Sequence, residues 1–172
     1  MKDSRLRDEV YGLLYVKHKP EVAVLRLNRI LQEDPENVEA ISLKAYALNK
    51  LANATKDWNY SKNAIACADK ALALNSADEF ALIGKAWALI DLGRASEAIP
   101  YLIRATAANS TNEYAWYNLA WAQFLTGNLA ESSSSLAKAL ELSPNNAIIR
   151  RGKRMMNAGN VPAHLRRRSA SQ

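Results

Sequence analysis

Glu113 to Pro144, EYAWYNLAWAQFLTGNLAESSSSLAKALELSP, decides the fold, because its landmarks return one copy earlier at a fixed distance. Trp87 and Trp121, Ala86 and Ala120, Gly93 and Gly127, Glu97 and Glu131, and Ala105 and Ala139 are all 34 residues apart. Two apolar-periodic segments joined by a Gly-containing turn and repeated at this period are the pattern of a stacked helical hairpin. A further step back takes 41 residues, from Trp87 to Tyr46, Ala86 to Ala45 and Ala81 to Ala40. The second-helix landmarks Ala64 and Ala71 still lie 34 before Ala98 and Ala105, so seven extra residues fall between the helices of that copy. The polar stretch Ala52 to Trp58 is the expected insertion, read as a loop that projects from the edge.

The first copy is worn, but Pro35-Glu36-Asn37 closes it as Pro144-Asn145-Asn146 closes the fourth. Four copies are expected, at 4–37, 38–78 with the seven-residue insertion, 79–112 and 113–146, followed by a helix at 147–158. That helix has one apolar side, from Ile148, Ile149 and Met155 or Met156, and would cap the last hairpin. Residues 1–158 thus form the expected repeat domain. Residues 159–172, GNVPAHLRRRSASQ, are short of large apolar side chains and read as a basic, flexible tail that adds little to folding.

Composition agrees with an all-helical soluble chain. Of 172 residues, 49% are hydrophobic and 23% charged, which excludes disorder throughout. Strand-favouring residues never alternate over a strand-length run. The net charge is +6, but residues 147–172 hold seven basic residues and no acid, so subtracting them leaves the body at −1. The lone Cys67 forbids an internal disulfide. With no apolar leader at MKDSRLRDEV and no membrane-length apolar run, a cytoplasmic location is expected.

These residues resemble the tetratricopeptide repeat family. In its pattern a large residue at place 4, leucine at 7, small residues at 8, 20 and 27, a large one at 24 and proline at 32 define the hairpin. The fourth copy has Trp116, Leu119, Ala120, Ser132, Leu136, Ala139 and Pro144 there, and the third has Leu82, Ala86, Ala98, Leu102 and Ala105. Lys44 and Lys85 depart from the leucine at place 7, where their stems can lie on apolar surface with the ammonium in water. The resemblance implies a right-handed α-solenoid of four hairpins plus a capping helix, acting as a non-enzymatic scaffold or adaptor for a protein or peptide ligand. The family's carboxylate clamp is not matched at any register: the places hold Asp8 and Gly12 with Leu43, or Ser42 and Tyr46 with Gly84, or Ile83 and Trp87 with Asn118.

One helix face is more apolar than hairpin packing needs. Phe80, Ile83, Trp87 and Ile90 recur as Tyr114, Tyr117, Trp121 and Phe124, and Tyr46 extends the stripe into the second copy. By the family resemblance this face lines the concave groove, giving an aromatic site for an apolar helix or extended segment, and the competing reading buries the rings between repeats. Small size and an apolar groove also resemble the chaperones of type III secretion translocators. The basic end, Arg150, Arg151, Lys153 and Arg154 with Arg166, Arg167 and Arg168, is the alternative site, for nucleic acid or an anionic membrane. No catalytic, cofactor or metal-ligating set is found: His18 and His164 lack a second ligand at metal spacing, and no phosphate-binding glycine motif occurs.

Overall fold

The computed structural model describes residues 5–166, and no strand occurs among them. Helix α1, Arg5–Tyr11, runs on into a π-helical turn, Gly12–Val16, which packs against α2, Pro20–Glu33. The second hairpin is α3, Val38–Thr55, with α4, Asn59–Leu74, and the third is α5, Glu79–Asp91, with α6, Ala95–Ala108. The fourth is α7, Glu113–Leu125, with α8, Leu129–Leu142, and α9, Ala147–Asn157, covers its open face. A short α10, Ala163–Arg166, ends the described chain. The chain is an all-α, right-handed solenoid of four hairpins with a capping helix.

Each first helix after the initial hairpin starts at a side-chain cap. Asn37, Asp78, Asn112 and Asn146 accept from amides two or three residues on, for example Ala40 N–H to Asn37 Oδ1 at 2.9 Å and Ala81 N–H to Asp78 Oδ1 at 2.8 Å. Such caps satisfy donors that a helix start leaves open. The helices α5 and α7 end in turns that need positive φ, supplied by Gly93 at 79° and Gly127 at 82°. Small residues then let the helices approach: Ala64, Ala68 and Ala71 on α4 and Ala98 and Ala105 on α6 are fully buried.

Two expectations change. The insertion does not form a projecting loop: Ala52 to Thr55 continue α3, which reaches 18 residues against 13 in α5 and α7. Leu51 and Ala52 are buried, so an apolar side outweighs the polar composition, and only Lys56 to Trp58 remain as the turn, with Lys56 at φ 61°. Pro100 is the sixth residue of α6, beyond the open donors, and removes the bond to the Ser96 carbonyl without ending the helix. The segment after Gly159 is docked up to Leu165, which is 5% exposed and packs with Val161 against side chains of α5 to α7. Two apolar side chains in a short segment suffice because a ready-made apolar surface receives them. Residues 167–172, with the remainder of the expected tail, lie outside the described residues.

Candidate functional site

The first helices of the stack place their rings side by side. Tyr46 on α3 meets Trp87 on α5 edge-on at 5.1 Å between centroids, and Tyr11 and Tyr15 from the first hairpin lie 6.0 and 6.4 Å from Tyr46. The hydroxyls of Tyr15 and Tyr46 are hydrogen-bonded at 2.5 Å. Burial raises both phenols well above their ordinary value, Tyr15 to about 12, so both stay protonated at neutral pH. On α7, Trp121 stacks on Phe124 at 5.5 Å, and the Tyr114 hydroxyl accepts from Asn146 Nδ2 at 3.1 Å, tying α7 to the cap of α9.

Between these rings lies a cleft of about 220 Å³. Six side chains of the expected stripe line it: Tyr46, Trp87, Ile90, Tyr114, Tyr117 and Trp121. Three do not. Ile83 is 2% exposed and belongs to the core with Leu43 and Leu82. Phe80 lies under the Arg7 guanidinium, 4.4 Å from its ring centre, in a separate hollow with Glu39 and Ser42. Phe124 packs with Trp121 against Ile149 and Met156 of the cap.

Five lining residues escaped the apolar stripe: Tyr15, Lys50, Asp91, Asn118 and Ile148. Lys50 and Asp91 follow Tyr46 and Trp87 by four residues, which puts them on the same helix face, and only their polarity hid them. Asp91 is 5% exposed and accepts from Asn53 Nδ2 at 2.6 Å.

Lys50 gives the cleft its electrostatic character. Its ammonium sits 4.0 Å from the Tyr15 ring centre and 5.3 Å from that of Trp87. It enters no ion pair among the described residues, and burial pulls its pKa down from 10.5 to about 8. Replacement by methionine, Lys50→Met, is expected to raise stability at pH 7 by about 1–3 kcal/mol, the lower part if the ring contacts offset desolvation. Between pH 8 and 10.5 the unfolded chain binds more protons than the folded one, so the parent gains stability as pH rises through that window. The advantage of the variant is therefore full below pH 8 and vanishes towards pH 10.5. Urea melts of both chains at pH 7 and pH 10 check this, and a difference independent of pH would show that Lys50 is not desolvated.

The basic residues form a different surface. Arg150, Arg151, Lys153 and Arg154 are exposed on α9, and Arg150, Lys153 and Arg154 border a shallow hollow with Pro144 and Asn145. Arg166 ends the described chain, and Arg167 and Arg168 lie beyond it. Among the described residues no group of three His, Cys, Asp or Glu is arranged to hold a metal ion, and no helix is long and apolar enough to cross a membrane. Cys67 is half-buried, and burial raises its thiol pKa, so it does not present a reactive thiolate.

Residues 83–147 match the model of the tetratricopeptide repeat family. No curated protein matches the chain significantly. Solved structures of similar shape include MamA, residues 41 to the end, from Desulfovibrio magneticus RS-1, at 21% identity and TM-score 0.66, with 96% of this chain and 88% of that one covered. TTC0263, a thermophilic tetratricopeptide repeat protein of Thermus thermophilus, has 18% identity and TM-score 0.70 over 87% and 80%. The first repeat domain of Spaghetti (RPAP3), solved with the HSP90 peptide SRMEEVD, has 24% identity and TM-score 0.56 over 69% and 94%. At these identities the likeness concerns the fold. The third and fourth hairpins thus carry a tetratricopeptide repeat match at residues 83–147, within a chain whose fold is that of the helical-repeat structures above.

Proposed function

We propose that the chain is a non-enzymatic protein-interaction module whose concave cleft takes an apolar segment of a partner protein. The observation that carries this reading is the cleft itself, walled by rings from three successive first helices, Tyr46, Trp87 and Trp121, with Ile148 of the cap at its end. Tryptophan and tyrosine are the usual anchors of such contacts, because they offer large area with little rotamer entropy to lose. Lys50 adds a cation between two rings, which favours a segment with an acidic side chain among its apolar anchors. A neighbour of the same fold has been solved with a peptide bound, which supports peptide binding as the general mode.

Selection of displayed random dodecapeptides on the parent chain tests the reading. Selected peptides are expected to carry two or three large apolar residues and to lose at least ten-fold in affinity on Trp121→Ala, with a melting temperature within a few degrees of the parent. Their affinity should change little between low and high salt, since apolar burial rather than counterion release drives it. Peptides that bind the variant as well as the parent, or that are rich in acid and lost at high salt, would move the site to the basic surface of α9.

A further inference from the structure

The lengthened α3 and the docked C-terminal segment meet each other. First helices of a stack run in one direction, so their C-terminal ends share one edge, and the surplus residues carry α3 beyond α5 and α7 there. Two contacts use this surplus. Asn53 bonds to Asp91 at the end of α5, and Trp58, in the turn after α3, stacks on His164 with 4.6 Å between centroids and 17° between planes.

The C-terminal segment comes to Trp58 from the far end of the stack. Past α9 the chain turns at Gly159, with φ 63°, and the Asn160 amide donates to the Met155 carbonyl at 2.8 Å. From there residues 160–165 run back to the edge, and Leu165 and Val161 pack in one cluster with Leu89, Ile90 and Trp121. Ile90 and Trp121 are also walls of the cleft, so the cluster that receives the segment and the cleft share two side chains.

We propose that residues 160–166 are a built-in occupant of the groove, seated on the insertion of the second repeat, and that a partner lying along the full groove binds by displacing them. The inference rests on the groove reading above. The segment is short, with Val161 and Leu165 as its large apolar side chains, and the entropy cost of ordering its backbone offsets much of what its contacts contribute. Docked and released states are therefore close in free energy, and a ligand with modest preference for the open groove shifts the balance. The insertion and the segment form one device: without the segment the Trp58 ring would lose the imidazole that covers it.

A fluorescein-labelled synthetic peptide of residues 159–172, titrated onto the full-length parent and its Leu165→Asp variant, tests the docking. The variant places a carboxylate in an apolar cluster, which undocks the segment and empties the seat. The peptide is expected to bind the variant at least ten-fold more tightly than the parent, and a further Trp58→Ala change should reverse most of that gain. Equal affinity for both chains, or none for either, overturns the docking. Displayed peptides selected on the groove should bind the variant at least five-fold more tightly than the parent, and indifference there overturns the competition. Failure to select any peptide sinks the groove reading instead, while the labelled peptide still decides the docking. Should the variant lose its cooperative melt, hydrogen exchange on the parent decides: the Leu165 amide should exchange at least ten-fold more slowly than in the free peptide and lose that protection in Trp58→Ala. Sedimentation must show a monomer, because a dimer would mean that the segment docks on a second copy.

Discussion

Replacing Tyr46 by alanine is expected to lower the unfolding free energy by about 3–5 kcal/mol, although the residue belongs to the same stripe as the groove tryptophans. Tyr46 is 5% exposed and packs with Leu43, Ala47 and Ile83 in a core that runs from the first hairpin to Ala115 of α7. Its ring is the hub on which Tyr11, Tyr15 and Trp87 converge. Truncation would leave a cavity that none of these rings can fill without leaving another neighbour. It would also remove the partner of the Tyr15 hydroxyl. For a chain of this size the loss corresponds to a fall of roughly 10 °C in melting temperature. Tyr46→Phe keeps the ring and gives up only the hydroxyl pair, for about 1 kcal/mol, since Tyr15 borders the cleft and can turn to water. Thermal and urea melts of both variants separate the two contributions. An alanine variant that melts within two or three degrees of the parent would mean that Tyr46 serves the groove and not the core.

A second large effect is expected where the capping helix meets the last hairpin. Gly152 of α9 lies against the ring of Tyr117 so closely that a Cβ there would come within 2.7 Å of Cζ, with Cε2 and the hydroxyl nearer still. Tyr117 packs beside Ile149 and Met156 and lines the cleft, so its ring can yield only by swinging into the cleft or by pushing α9 away. Gly152→Ala is therefore expected to destabilise the fold by about 1–3 kcal/mol, even though alanine favours a helix interior by about 1 kcal/mol over glycine. The pair can be separated by a double-mutant cycle. In a Tyr117→Ala background the same change should become neutral or stabilising, because only the helix preference remains. If Gly152→Ala stabilises the parent, the cap does not sit on the ring. In the groove reading, the variant should also weaken peptide binding by crowding the cleft.

The repeat spacing determined the architecture because it reports a property of each copy alone. Ala98 and Ala105 on one second helix, with Gly93 in the turn before it, are what any such hairpin needs, and their recurrence places the hairpins in order. The same spacing could not sort the stripe on the first helices. Period 3.6 tells which side chains share a face, but each inner helix touches the one before it, the one after it and its own partner. Ile83 and Trp87 lie four residues apart on one face, yet one is 2% exposed in the core and the other walls a cleft. Their fates depend on the offset between neighbouring helices, which is a property of the stack. Polarity misled in the same way at Lys50, which the cleft takes in because its stem crosses apolar surface between two rings. At the C-terminal end, Val161 and Leu165 are too few to order a segment by themselves. Only the folded edge, extended by the extra residues of α3 and presenting Trp58, Ile90 and Trp121 together, supplies the surface that holds them.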